Sequence, residues 1–423
     1  MASIRKRGKG YQITVSNGRD IHGRQLIETA TFIPDPNKTD KQNQRALERF
    51  VMDFEDKVKS GQLLSGEKMT YKEYIDLWME EYAHKQMEQT SIERCESSLS
   101  RIILPALGHL KVSAIQPLHL QKLYSTMQEQ GYTKNGKQYP YSPTTIKRVH
   151  QIISSSLNVA VQWQIIESNP CQRVKPPKEE KKADVKHFTL EQTQAFLDQL
   201  DKPYTVAYKG RRKKDGSESD IHYETRSISL QYKVLFYLAI FGGFRRGELV
   251  ALKWDDIDFD NCTVSINKSS ARTKDGIITK TPKNFSSNRV VTVPKDVIAL
   301  LRKHKTEQQK YRLMLGTYWK GDNYIFIQDD GKQMDISTPN KIFQKIIKIH
   351  NDTCEDKLPE ITLHGLRHTS ATLLIAQNID IKTVSARLGH SETSTTMDIY
   401  AHALKKRDEA ASDSLAELFQ KKA

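Results

Sequence analysis

The sequence predicts a mostly α-helical chain with small β-sheets (α+β), divided into several domains. Three observations carry this. The chain has 423 residues, more than one compact core serves. Apolar residues recur at helical spacing through most of it, while strand-like alternation is confined to a few short stretches. The polar, proline-bearing stretch "NPCQRVKPPKEEKKADVKHF" interrupts the helical pattern near residue 178.

The first segment, 1–66, reads as a small sheet followed by a helix. "YQITVS" and "LIETATFI" alternate like strands, and "NGRDIHGRQ" between them suits a hairpin loop. Leu47, Phe50, Val51, Phe54 and Val58 then recur with helical spacing, and Gly61 suits the end of that helix. Arg5, Lys6, Arg7, Lys9, Arg19 and Arg24 crowd the strand region, which suits a sheet lying in a DNA groove. A solvated sheet face accounts for them equally well. The second segment, 67–178, reads as four helices, with Pro105 and Gly108 closing the second and Pro117 opening the third. Ile146, Val149, Ile153, Leu157 and Ala160 trace one face of the fourth. Trp78 and Trp163 are expected in its core. The third segment, 179–423, mixes helices with three strands, in "DIDFDNCTVSIN", "GIITKTPK" and "NRVVTVP".

Lys plus Arg number 66 against 51 Asp plus Glu, a formal charge of +15. An excess of that size favours a polyanionic partner, most often nucleic acid, although a solvated basic surface is the plain alternative. Four scattered cysteines without a CxxC pair argue against a disulfide framework or a zinc ribbon. The longest apolar run, "VLFYLAIF", falls far short of the roughly 20 residues of a membrane span, and no stretch has the shape of a signal peptide. A cytoplasmic protein that makes no membrane contact is the expectation.

Four stretches of the third segment carry chemistry-bearing side chains. "FGGFRRGELVALKWDDI" bends at two glycines and sets Arg245 near a helix N-terminus. "TPKNFSSNRVV" puts Lys283 at a hairpin turn, with Lys280 close by. "LHGLRHTSATLL" places His364 and Arg367 on one face of an apolar helix. "LGHSETSTTMDIYAH" holds His390 ten residues before Tyr400 on a small, polar tether. A phosphodiester under attack concentrates negative charge on its non-bridging oxygens, which arginine forks match in pairs without losing their own charge. A tyrosine hydroxyl attacks phosphorus once its proton is taken, a histidine accepts that proton or hydrogen-bonds the phosphate, and a lysine supplies a proton to the departing oxygen. Such a set needs no metal and no other cofactor. Taken singly each residue has an ordinary explanation: a salt-bridged helix start for Arg245, a solvated turn for Lys283, a helix cap for His390, core packing for Tyr400. His364 and His368 also have zinc-helix spacing, but the usual glutamate is missing and no third ligand is evident.

The order of these elements resembles the tyrosine recombinases, or phage-type integrases, over about residues 185–405. Their pattern is an arginine in a Gly-hydrophobic-Arg-x-Gly-Glu turn, a hairpin lysine, His-x-x-Arg, Leu-Gly-His and a tyrosine about ten residues later. The resemblance, closest to integrases of temperate phages or Gram-positive conjugative transposons, implies that Arg245 and Arg367 hold the scissile phosphate. It makes Lys283 the general acid, His364 the general base or a phosphate donor, His390 a phosphate ligand, Tyr400 the nucleophile and Glu248 a supporting acid. It implies an arm-type DNA-binding domain at 1–66, a core-binding domain at 67–178 and a catalytic domain at 179–423. The expected partners are double-stranded DNA at core and arm sites, a homotetramer, a directionality factor (excisionase) and a host DNA-bending protein. Phe241-Gly-Gly-Phe and Asn284 depart from the commoner residues, and 203–227 is an extra basic, polar segment, a hairpin or a loop. A type IB topoisomerase-like relaxing enzyme, a silent DNA-binding regulator and a metal-dependent nuclease are the competing readings.

Overall fold

The computed structural model describes residues 2–19, 23–59, 69–178, 186–208, 222–281 and 288–389. The chain divides into two compact units, Met1–Lys181 and Lys182–Ala423. It is mostly helical, with small antiparallel sheets. No helix among the described residues is long and apolar enough to cross a membrane.

The first unit opens with a sheet of order β1 (Ser3–Arg7), β2 (Gly10–Arg19) and β3 (Gln25–Phe32), followed by α1 (Asp40–Lys59). Strand pairing runs Ile4↔Ile13 and Ile13↔Ala30, so alternation sends Ile13 and Val15 into a small core with Leu47, Phe54 and Val58 of α1. The opposite face collects Arg5, Arg7, Gln12, Thr14, Thr29 and Thr31. Gly61 lies outside the described residues.

The helical part has its own core. Helix α2 (Tyr71–Trp78) starts at a Thr70–Glu73 capping box and continues through a π turn, Met79–Ala83, into α3 (His84–Gln86). Helix α4 (Gln89–Ser98) likewise passes through a π turn, Leu99–Ile103, into α5 (Leu104–Leu107). Pro105 therefore does not close this helix. The amide of Leu104 bonds back to Leu99 across the wider turn, so the ladder has already changed register where proline lacks its donor. Gly108 does cap the end. Helix α6 (Pro117–Glu129) begins at Pro117, as expected. Between it and α7 (Pro143–Gln162) the structure adds a hairpin, β4 (Tyr132–Lys134) and β5 (Lys137–Tyr139). Trp78 is buried, but Trp163 is 37% exposed, a correction to its expected place: α7 ends there and its ring only edges against Tyr74.

The second unit is built around α9 (Leu230–Phe241), apolar nearly all round and buried. Phe236 of α9, Phe196 of α8 (Leu190–Asp201) and Phe343 of α12 (Thr338–Thr353) pack with ring centroids 5.2–5.8 Å apart. Strand β6 (Tyr204–Tyr208) pairs antiparallel with β7 (His222–Arg226). The strand expectation needs correcting. Strand β9 (Thr263–Ile266) pairs with β8 (Ile257–Asp258) and with β12 (Arg289–Thr292), but β11 (Gly276–Lys280) pairs elsewhere, with β10 (Ser269–Thr273). The "SSART" strand is polar on both sides and shows little alternation. Helices α10 (Arg246–Ala251), α11 (Lys295–Leu315), α13 (Leu363–Ala376) and α14 (Ile381–Leu388) complete the unit. The four cysteines are free thiols.

Because Phe343 sits between three aromatic rings at full burial, Phe343→Ala should cost about 3–5 kcal/mol of stability. Denaturant titration of the purified chain checks this.

Candidate active site

Gly242 and Gly243 turn the chain between α9 and α10. Gly243 has φ +63°, and a Cβ there would lie 2.7 Å from Leu388 Cδ2, so side chains are excluded by both backbone and space. The turn makes Arg245 the N-cap of α10 with Glu248 three residues on. Glu248 Oε2 accepts from the Arg245 amide at 2.9 Å, and Oε1 pairs with Arg245 Nη1 at 2.8 Å. Arg245 Nη2 donates to the carbonyl of Gly389 at 3.0 Å. The side chain stays 36% exposed, leaving further N–H donors toward solvent.

Arg367 comes from the first turns of α13 and is 2% exposed. Its Nη1 donates to the Gly243 carbonyl at 2.7 Å and its Nη2 to the Leu388 carbonyl at 2.6 Å. The two predicted arginines therefore meet at the same Leu388–Gly389 turn, one accessible and one buried. His364 stands one helical turn before Arg367 and is exposed, with its ring edge-on to His368 at 4.8 Å. Partial desolvation by the residues packed around its ring, and then Arg367 and Arg245, hold His364 below its ordinary pKa, with Glu248 pulling the other way. Burial, with His364, Arg367 and His187 adding to it, lowers His368 to about 4.

Sequence reasoning missed two arginines. Arg289, at the start of β12, is buried and places Nη2 2.7 Å from Glu248 Oε2 and Nη1 3.2 Å from Oε1. Its Nε donates to the Arg387 carbonyl at 2.7 Å. Arg387, in the last turn of α14, donates to the carbonyls of Phe241 at 2.5 Å and Thr292 at 2.9 Å. The available signal was position: one precedes an apolar strand in "NRVV", the other stands directly before Leu-Gly in "SARLGH". Both bond backbone from elsewhere in the fold, which spacing does not reveal.

Lys283, His390 and Tyr400 lie outside the described residues, as does the C-terminal segment. Lys280 ends β11 and is exposed. Helix α14 ends at Gly389, whose left-handed φ of +67° leads into His390. Of the basic residues of the first sheet, Arg5 and Arg7 share the outer face, Lys6 is on the opposite face, and Lys9, Arg19 and Arg24 are exposed near its turns. Among the described residues no group of three or more His, Cys, Asp or Glu is placed to hold a metal ion.

Burial raises the pKa of Glu248, but the bonds and charges of Arg289 and Arg245 outweigh it and hold the carboxyl below its usual range. A carboxyl depressed in the fold stabilises above its unfolded pKa, and the contribution is lost as pH falls through the folded value. Glu248→Gln should therefore cost about 3–5 kcal/mol at neutral pH by stranding a buried guanidinium. The gap to the natural chain should close on acidification below the carboxylate range. Unfolding midpoints of both proteins across pH check it; a gap independent of pH would contradict the ion-pair assignment.

The phage integrase family matches residues 219–407, and the SAM-like N-terminal domain of phage integrases matches 70–128. The chain is 27% identical to a tyrosine recombinase XerC-like protein of Caldanaerobacter subterraneus subsp. tengcongensis, across 98% of both chains. It is 29% identical to the ICEBs1 integrase of Bacillus subtilis over 66% of each. The transposase from transposon Tn916 of Enterococcus faecalis is 24% identical over 85% of this chain and 80% of its own. In fold, the chain is similar to the Tn1549 transposon integrase, solved in complex with transposon right end DNA. That likeness has a TM-score of 0.61 at 20% identity and covers 82% of this chain and all of that one. With the recombinase motifs in order and their arginines converging on one turn, the chain belongs to the phage integrase family of tyrosine recombinases.

Proposed function

We propose that the protein is a site-specific DNA recombinase, the integrase of a mobile element, that cleaves DNA through a 3′-phosphotyrosine. The observation that carries this is the convergence of Arg245 and Arg367 on the turn that leads into His390, with His364 in electrostatic range of both arginines. Arg245 and Arg367 grip the non-bridging oxygens of the scissile phosphate, supplying the charge that a metal ion supplies elsewhere. Tyr400 Oη attacks phosphorus as its proton passes to His364. The P–O5′ bond breaks, and Lys283 protonates the departing O5′. His390 hydrogen-bonds the phosphate. The free 5′ hydroxyl of a partner strand then attacks the phosphotyrosine, releasing Tyr400 and passing through a Holliday junction. The bond energy is conserved in the phosphotyrosine, so the cycle needs neither ATP nor metal.

The rest of the chain supports this reading at the level of whole domains. An outer sheet face of Arg5, Arg7 and small polar residues suits an arm-type DNA site. The helical domain at 67–178 is the core-binding clamp, 179–423 is the catalytic domain, and the working form is a tetramer on two duplexes.

The test is covalent trapping with chelator present, using DNA from the element's ends. The natural chain should leave protein attached to DNA after denaturation and Tyr400→Phe should leave none. Arg245→Ala should slow adduct formation by about 10²–10³-fold. An adduct that only reseals its own strand, with no exchange between duplexes, would favour a relaxing enzyme. Binding without any adduct would favour a silent regulator.

His364 should titrate the same step. As a base with a lowered pKa it stays neutral through the neutral range, so the cleavage rate should hold level there. The rate should fall only once pH drops below the ordinary histidine value of about 6.5. His364→Gln should lose about 10²–10⁴-fold and that acid limb with it. Single-turnover cleavage across pH is the measurement, and an unchanged acid limb in the variant would remove His364 from the base role.

A further inference from the structure

The β4–β5 hairpin lies outside both matched stretches, 70–128 and 219–407, and no role above uses it. We propose that it is a rigid finger whose tip lysines, Lys134 and Lys137, each engage a phosphate of the DNA duplex backbone. This rests on the recombinase reading and adds a contact to it.

The hairpin is built to stand away from its domain. Asn135 and Gly136 have φ of +51° and +75°, the two left-handed positions of a type I′ turn, which matches the twist of paired strands. All six strand residues are exposed. A two-stranded ribbon of that size is marginal by itself, and three features stiffen it. Tyr132 stacks on Tyr139 with centroids 5.8 Å apart and contacts Tyr141 at 5.1 Å. The Tyr141 amide donates to the Met127 carbonyl at 3.0 Å, tying the returning strand to α6. Gly131, at φ +60°, lets the strands close so tightly that a Cβ there would lie 1.8 Å from the Tyr139 carbonyl oxygen.

The charge on this finger is of one sign. Lys134 and Lys137 face each other in register across the tip. Neither is paired with a carboxylate among the described residues. From Gln130 to Ile166 the chain has no Asp or Glu, while Lys134, Lys137, Lys147 and Arg148 fall within that stretch. Holding two lysines close together with no acid nearby is unfavourable in isolation and becomes favourable beside a polyanion. Lysine is a point charge with no planar fork to read a base pair, so the contact is independent of sequence.

The experiment uses the full chain and a fluorescein-labelled duplex of arbitrary sequence, with affinity followed by anisotropy against salt concentration. Each neutralised phosphate contributes about 0.9 to the slope of log K on log salt, so Lys134→Ala/Lys137→Ala should lower the slope by about 1.8. The loss should be the same on several unrelated duplexes. Lys310→Ala, an exposed lysine of α11, should keep the natural slope, and all three proteins should melt alike. A double variant with the natural slope overturns the proposal. A natural slope joined to weakened self-association in sedimentation also overturns it, assigning the finger to a second copy of the chain. Failure of the natural chain itself to bind any duplex would instead remove the recombinase reading.

Discussion

The carboxylate of Glu248 is the constraint on which the catalytic unit depends. It is 3% exposed, so an ionised group there is tolerable only with full compensation. Compensation comes from three directions. The Arg245 amide caps it from the start of its own helix, the Arg245 guanidinium donates one bond to Oε1, and Arg289 closes a two-pronged fork from β12. One residue at the third position of a short helix thereby fixes where that helix begins, which way Arg245 points, and where β12 is anchored. Had the pair been replaced by apolar side chains of similar volume, the unit need not be less stable. What it would lose is the single orientation of Arg245.

The second tier of contacts is backbone. Arg245, Arg289, Arg367 and Arg387 each reach a carbonyl oxygen near the Gly243 turn, the end of β12, or the Leu388–Gly389 turn. Lysine is a poor substitute in this lattice, since its single ammonium lacks the planar, spaced donors with which each guanidinium spans its separate acceptors. The arrangement also concentrates like charge. Burial and the neighbouring Arg289 both disfavour the charge on Arg387, whose buried Nε has no hydrogen-bond partner among the described residues. Two guanidiniums share the Glu248 carboxylate and two more are held by backbone carbonyls, so the surrounding fold holds the cluster together against its own repulsion. On the proposed function, a phosphate would relieve that repulsion, and more so as negative charge builds on its oxygens, which is preorganisation in its electrostatic sense.

This explains which parts were legible in the sequence. The turn at Gly242–Gly243, the helix face shared by His364 and Arg367, and the buried run of α9 follow from local rules of glycine, periodicity and hydrophobicity, and the structure has all three. Arg289 and Arg387 were invisible because their meaning lies in contacts 41 and 146 residues away. The β4–β5 hairpin was different, since Asn135-Gly136 is a strong local turn signal, obscured by the helical periodicity on both sides. Pro105 was misread because proline usually closes a helix, and only the preceding π turn shows why this one does not. Strand β10 was missed because polar side chains give no alternation to detect.

The two histidines of α13 show how the same charge lattice sets chemistry. A lone histidine near neutral pH would be divided between its two forms. Here desolvation, with Arg367 and Arg245 adding to it, suppresses protonation of His364, and His368, edge-on to it, is held to about 4. Both rings are thus kept neutral at working pH, and a neutral imidazole retains a lone pair to accept a proton. The positive field that favours the phosphate's negative charge and the basicity that activates a hydroxyl are usually in opposition, because a strong field weakens every nearby base. They coexist because Glu248 lies within range of His364 and partly offsets the field there, while its direct ion pairs are with Arg245 and Arg289. The buried carboxylate that orients Arg245 therefore also opposes the lowering of the His364 pKa, so a change at Glu248 acts on both at once.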